Sequence, residues 1–128
     1  MHLGLFAVKP LILLIDDEPD LLSLLTETLQ TALPEYSVAG LTSYDDALAA
    51  LDGEESDLRL VVVDQLLSGG TGLQLLGHLS DSRPAVPSIL FTGQSTAELE
   101  SDARTVGAQV LAKPVPLTTW LATVRSML

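Results

Sequence analysis

Apolar residues in this chain alternate between short continuous runs and longer stretches with helical spacing. Four of the short runs end abruptly in polar residues: 11–15 before Asp16 and Asp17, 60–63 before Asp64, 89–91 before Thr92, and 110–112 before Lys113. Continuous apolar runs of this length are typical of strands that are buried on both faces of a parallel sheet. Because the carboxyl ends of parallel strands meet at one edge, we expect these polar residues at a common edge.

Leucine and alanine recur at helical spacing after each strand, which predicts five amphipathic helices. The first four predicted helices have a recognisable start: Pro19 in the first, Ser43 before the second, the glycine-rich segment 68–72 before the third and Ser95 before the fourth. The fifth follows the strand end at Lys113 and Pro114. A less purely apolar run at 36–41 predicts an edge strand. The fourth helix has a thin apolar face, made of Leu99, Ala103 and Val106.

The alternation of five strands and five helices predicts an α/β fold. Right-handed crossovers make it an open, doubly wound parallel sheet with helices on both faces. We expect five strands in the flavodoxin-like order 2-1-3-4-5 and five helices. This order puts the first and third strands side by side at the switch point. Asp16, Asp17 and Asp64 are therefore expected to lie close together.

Composition narrows the classes of function. The 128 residues suit one domain, and we expect residues 1–9 to form an N-terminal arm, with no output domain in residues 1–128. A net charge of −11 argues against direct binding to nucleic acid, and no apolar stretch approaches the roughly 20 residues of a membrane helix. The absence of cysteine excludes disulfides and thiolate sites and favours a reducing compartment.

The expected polar edge combines acidic, basic and hydroxyl groups. Three crowded carboxylates need a cation, and oxygen ligands favour a hard ion such as Mg²⁺. A lysine beside that ion would attract an anion and stabilise charge on a transferring phosphoryl group. Each piece also has an ordinary explanation: Asp16 and Asp17 could serve only the helix start, Lys113 could be a solvated turn residue, and Thr92 could be an ordinary strand residue.

The segments 13–19, 61–64, 90–93 and 112–114, in this order and spacing, resemble the receiver domain of two-component response regulators. The resemblance covers essentially the whole chain. It implies that Asp64 accepts a phosphoryl group, and that Thr92 and Lys113 bind the phosphoryl oxygens. It also implies a Mg²⁺ site in which Asp17 and Asp64 are ligands, Asp16 assists through water, and the Leu66 backbone carbonyl is a further ligand.

The resemblance also implies partners and a location. The phosphoryl donor would be a sensor histidine kinase or phosphotransfer protein, and the output a downstream protein or a domain outside this chain, with homodimerisation as a further option. The protein would be cytoplasmic. It would not be an enzyme beyond catalysing its own phosphoryl transfer and autodephosphorylation, and Leu66 and Gln94 would flank the water that removes the phosphate.

Two segments depart from the pattern of the family. Receivers commonly carry a Met-Pro-x-Met-Asp-Gly-like stretch after the phosphoacceptor, and the glycines at 69, 70 and 72 predict a more mobile connection here. Val110 stands where the family usually has an aromatic switch residue. This departure predicts a different route for the output signal.

Three other functions would be compatible with parts of this pattern. A flavodoxin-like FMN site would need a phosphate cradle after the first strand, where this chain has acids that repel phosphate. A phosphatase or phosphotransferase with an aspartyl nucleophile would usually have Asp-x-Asp and a cap, and this chain has no insertion of that size. A degenerate receiver that acts as a phosphorylation-independent protein-interaction module would not need all five site residues.

Overall fold

The computed structural model describes residues 9–53 and 57–128, which form one parallel sheet, a small hairpin and five helices. The strands are β1 (Pro10–Ile15), β2 (Ser37–Leu41), β3 (Asp57–Val63), β4 (Leu66–Leu67), β5 (Gly70–Thr71), β6 (Ser88–Thr92) and β7 (Ala108–Ala112). The helices are α1 (Pro19–Ala32), α2 (Tyr44–Asp52), α3 (Gly72–Ser82), α4 (Ala97–Thr105) and α5 (Leu117–Ser126). Apart from Lys9, the predicted N-terminal arm lies outside the described residues.

The main sheet contains five strands in the order β2-β1-β3-β6-β7, all parallel. Numbered among themselves along the chain, these strands have the order 2-1-3-4-5. The predicted fold class and strand order are therefore confirmed. None of the helices in the described ranges is both long and apolar enough to cross a membrane.

Alternate residues of the sheet pack against opposite helix layers, as the period of two in a strand requires. One face packs with α2, α3 and α4, and its central residues are Leu13, Ile15, Val61, Val63 and Leu90. The other face packs with α1 and α5 through Ile12, Leu14, Val62, Ile89 and Phe91. Burial on both faces explains why these strands read as continuous apolar runs.

The predicted starts of the first three helices are confirmed, whereas the predicted cap of α4 is wrong. Pro19 lies in the first turn of α1, and Ser43 Oγ accepts a hydrogen bond from Asp46 N at the start of α2. At α4 the cap is Thr96, which accepts from Leu99 N, and not Ser95 as predicted. The apolar face of α4 is thin, as expected, since Ala103 is its one buried residue.

The glycine-rich segment is a folded hairpin, and its greater mobility stays a prediction. β4 and β5 pair in antiparallel fashion around Gly69, whose φ of 91° favours glycine. A Cβ atom at residue 70 would lie 2.6 Å from Cδ2 of Tyr44, and one at residue 72 would overlap the Asp64 carbonyl oxygen. These glycines therefore permit close packing.

Candidate functional site

The site is built at the carboxyl edge of the sheet, where β1 and β3 end side by side. Ile15 pairs with Val63, and Asp64 N donates a 3.0 Å hydrogen bond to Ile15 O. This register brings carboxylate oxygens of Asp16, Asp17 and Asp64 within 4.8 Å of one another. Asp16 and Asp64 are buried, whereas Asp17 is exposed. The expected cluster is therefore present.

Lys113 reaches the cluster from the end of β7. Its Nζ lies 2.7 Å from Asp16 Oδ2, 3.1 Å from Asp64 Oδ2 and 3.6 Å from Glu18 Oε1. Burial disfavours the ammonium form, but the hydrogen bonds and charges of Asp16 and Asp64 outweigh that effect and raise the pKa of Lys113. Lys113 is therefore a positively charged group inside the acidic site.

Asp16 has both carboxylate oxygens occupied by hydrogen bonds from the protein. Oδ1 accepts from Glu18 N at 2.9 Å, and Oδ2 accepts from Lys113. Burial raises the pKa of Asp16, and the Lys113 and Glu18 hydrogen bonds offset part of that rise. Asp16 therefore holds Lys113 in place beneath the open part of the site.

A cleft of about 450 Å³ opens beside Lys113. It is lined by Asp17, Glu18, Asp64, Leu66, Thr92, Gly93, Gln94, Lys113 and Pro114. Thr92 Oγ1 accepts a 3.1 Å hydrogen bond from Gln94 N, and a hydroxyl that accepts one bond can also donate its proton to a ligand in the cleft. The open side of the cleft therefore offers carboxylate, ammonium and hydroxyl groups to a ligand.

Gln65 contributes three hydrogen bonds next to Asp64, although no motif in the sequence predicts a role for it. Its N–H donates to Asp64 Oδ1 at 2.7 Å, its carbonyl accepts from Gly72 N, and its side-chain Oε1 accepts from Leu73 N. The one feature of the sequence that could have indicated a role for Gln65 is its position directly after Asp64. The contact with Leu73 is eight residues away, and local spacing does not reveal it.

Most of this chain matches the model of one protein family. A model described as the response regulator receiver domain matches residues 12–125. This chain belongs to that family. The receiver-domain resemblance given by the sequence motifs is therefore confirmed, and the cleft described above lies at the motifs that carried it.

Curated relatives include two receiver-containing regulators. The chain is 35% identical over 125 residues to the C4-dicarboxylate transport transcriptional regulatory protein DctD of Pseudomonas aeruginosa, covering 96% of this chain and 26% of that protein. It is 29% identical over 117 residues to response regulator RppA of Synechocystis, covering 91% of this chain and 49% of that protein. This receiver domain thus spans about a quarter to a half of these relatives.

Solved structures agree over nearly the whole chain. The non-phosphorylated HemR receiver domain of Leptospira biflexa has 26% identity and a TM-score of 0.82, with 93% of this chain and 94% of that chain covered. A receiver domain protein from Methanospirillum hungatei has 25% identity and a TM-score of 0.84, with 94% and 93% covered. The sheet order and helix arrangement of this receiver domain are therefore those of its family.

Proposed function

We propose that this receiver domain accepts a phosphoryl group on Asp64 from a histidine kinase or phosphotransfer protein and thereby changes its contacts with other proteins. The observation that carries the proposal is the position of Asp64 in the cleft. Its Oδ2 lies 3.1 Å from Lys113 Nζ, and Asp17 and Thr92 line the same cleft. A carboxylate beside an ammonium, a hydroxyl and a metal-binding carboxylate is suited to forming an acyl phosphate.

In the proposed transfer, a carboxylate oxygen of Asp64 attacks phosphorus as the bond from phosphorus to the donor nitrogen breaks. The donor's imidazole nitrogen keeps the bonding electron pair and takes up a proton. Lys113 would stabilise negative charge on the phosphoryl oxygens through its ammonium, and Thr92 would donate its hydroxyl proton to one of them. The strand ends hold these groups in place before the donor arrives.

The donor set fits Mg²⁺, because it consists of oxygen atoms of clustered carboxylates. Asp17 and Asp64 would hold the ion together with the Leu66 carbonyl, and Asp16 would assist through water. Bound there, Mg²⁺ would neutralise charge on the phosphoryl group during transfer. Asp17 is suited to direct contact because it is exposed and, like Asp64, lines the cleft, whereas Asp16 is buried and is not among the residues that line the cleft.

The output is part of the same proposal. The phosphorylated form would act through a downstream protein, a second copy of the chain, or an output domain of the kind found in transcriptional regulators. We place this signalling in the cytoplasm, where the donor kinase would present its phosphohistidine. The chain would catalyse only its own phosphorylation and dephosphorylation.

Incubation with a small acyl phosphate donor tests the proposal. We expect the intact mass to rise by one phosphoryl group in the presence of Mg²⁺ but not after chelation, and hydroxylamine to remove the group because acyl phosphates react with it. A mass gain that is independent of Mg²⁺, or a product that resists hydroxylamine, would contradict the proposed chemistry.

A further inference from the structure

Gln65 connects the end of β3 directly to the start of α3. Its carbonyl oxygen accepts from Gly72 N at 3.0 Å, and its side-chain Oε1 accepts from Leu73 N at 2.9 Å. The first N–H groups of a helix have no partner within the helix. Gln65 satisfies two of them, and its own N–H donates to Asp64 Oδ1 at 2.7 Å.

This arrangement closes the base of the hairpin that follows Asp64. The six residues 66–71 leave β3 and return to α3, and Leu66 pairs with Thr71 across the hairpin. Gly72 can approach Gln65 so closely only because it lacks a Cβ atom, which would overlap the Asp64 carbonyl oxygen. The positions of the Asp64 carboxylate and the Leu66 backbone therefore depend on the same hydrogen bonds between Gln65 and the start of α3.

We propose that Gln65 is a positioning residue for the metal site, which rests on the Mg²⁺ binding included in the proposed function. Its side-chain amide oxygen anchors the start of α3, and this anchor orients the Asp64 carboxylate and the Leu66 carbonyl toward one ion. Groups that hold metal ligands in orientation typically change metal affinity by about 10-fold to 100-fold when they are removed. Gln65 acts through its neighbours and need not touch the ion.

Two substitutions at residue 65 separate the hydrogen bond from side-chain size. Gln65→Met keeps a side chain of similar length without an acceptor for Leu73 N, whereas Gln65→Glu keeps an acceptor oxygen. Gln74→Met is the matched control, because Gln74 Oε1 also accepts a backbone N–H at the start of α3, from Thr71 at 2.9 Å. That bond does not reach residues 64 and 65.

The measurements are Mg²⁺ affinity, from the dependence of the unfolding midpoint on Mg²⁺, and amide hydrogen exchange at Leu73 in metal-free protein. We expect Gln65→Met to weaken Mg²⁺ binding by about tenfold and to speed exchange at Leu73. Gln65→Glu should recover most of the affinity and protection. Gln74→Met should bind Mg²⁺ as the wild type does.

Equal Mg²⁺ affinity in Gln65→Met and wild type, or equal losses in Gln65→Met and Gln74→Met, would overturn the inference. The same holds if the wild type binds no Mg²⁺. Failure of the proposed function gives a different result: the wild type would bind Mg²⁺ with the predicted order of variants, yet gain no phosphoryl group from a donor.

Discussion

The ammonium nitrogen of Lys113 lies 3.1 Å from Oδ2 of Asp64, although the two residues are 49 positions apart in the chain. The side chains are 14% and 9% exposed, so water screens this pair weakly. The pair joins the end of β7 to the end of β3, and Asp16 extends it to β1. Lys113 should therefore contribute to the stability of the fold as well as to the chemistry of the site.

Lys113→Met should lower the free energy of unfolding of metal-free protein by about 3 kcal/mol at neutral pH. The reason is that Asp16 and Asp64 would remain buried without their cation. Urea unfolding measures the change. Lys9→Met is the control, since Lys9 is the other lysine and is exposed, and it should change stability by less than about 0.5 kcal/mol.

The stability difference between wild type and Lys113→Met, measured as a function of pH, tests whether the pKa of Lys113 is raised or lowered by folding. A lysine with a raised pKa in the folded state contributes stability that is complete below the unfolded value of 10.5 and is lost as pH rises through the folded value. The difference in the free energy of unfolding between wild type and Lys113→Met should therefore stay constant from pH 8 to 10. A difference that widens over this range would mean that burial dominates and lowers the pKa of Lys113.

The position of the site could be predicted from sequence because it depends on strand ends. Each apolar run is long enough to identify a buried strand, and the polar residue that ends it marks the sheet edge. The alternation of strands and helices then limits the strand order to few choices. Topology alone thus predicts that Asp64 and Lys113 lie at the same edge of the sheet, whereas their direct contact is seen only in the structure.

The details of the hairpin could not be predicted because they depend on contacts between distant residues. Tyr44 packs where a Cβ atom at residue 70 would lie, and nothing near Gly70 in the sequence indicates this.

The residue that caps α4 could be predicted from sequence only to within one position. Ser95 and Thr96 are adjacent hydroxyl residues that both suit an N-cap, and the sequence alone does not indicate which hydroxyl accepts the hydrogen bond from Leu99 N.

Gly72→Ala should lower the free energy of unfolding by about 2 kcal/mol, because the new methyl group would meet the Asp64 carbonyl oxygen and the Leu90 side chain. Gly77→Ala, in the same helix, is the control. A Cβ atom there has no neighbour within 4 Å, and alanine should raise stability by about 0.5–1 kcal/mol. A loss of stability in Gly72→Ala together with a gain in Gly77→Ala, both measured by urea unfolding, would support the packing role of Gly72. A gain of stability in both variants would refute it.

Leu66→Asn should speed loss of the phosphate from Asp64. Leu66 is 54% exposed at the mouth of the cleft, and a leucine side chain cannot orient the attacking water, whereas an amide can. We expect about a tenfold faster rate, equivalent to a barrier lower by ~1.4 kcal/mol. Leu24→Asn is the control, since Leu24 is 49% exposed on α1 and does not line the cleft. Unchanged or slower hydrolysis in Leu66→Asn would indicate a different arrangement of the water.

Activation should alter the hairpin segment 68–72 and the start of α4 more than β7 or α5. Val110 has no aromatic ring to reorient, and α4 is held by one buried residue. Tyr44 should respond with the hairpin, because its N–H donates to Ser68 O at 2.9 Å. Amide chemical shifts with and without beryllofluoride measure this. Large shifts confined to Val110 and α5, with an unchanged hairpin, would contradict the predicted route.

The identity of the phosphoacceptor is the central claim, and intact-mass measurement on two aspartate variants tests it most directly. Asp64→Asn removes the carboxylate at the end of β3, and Asp57→Asn removes a half-buried one, paired with Arg59, at the start of the same strand. With a small phosphodonor and Mg²⁺, wild type and Asp57→Asn should each gain one phosphoryl group, and Asp64→Asn should gain none. Normal phosphoryl gain by Asp64→Asn would contradict the account.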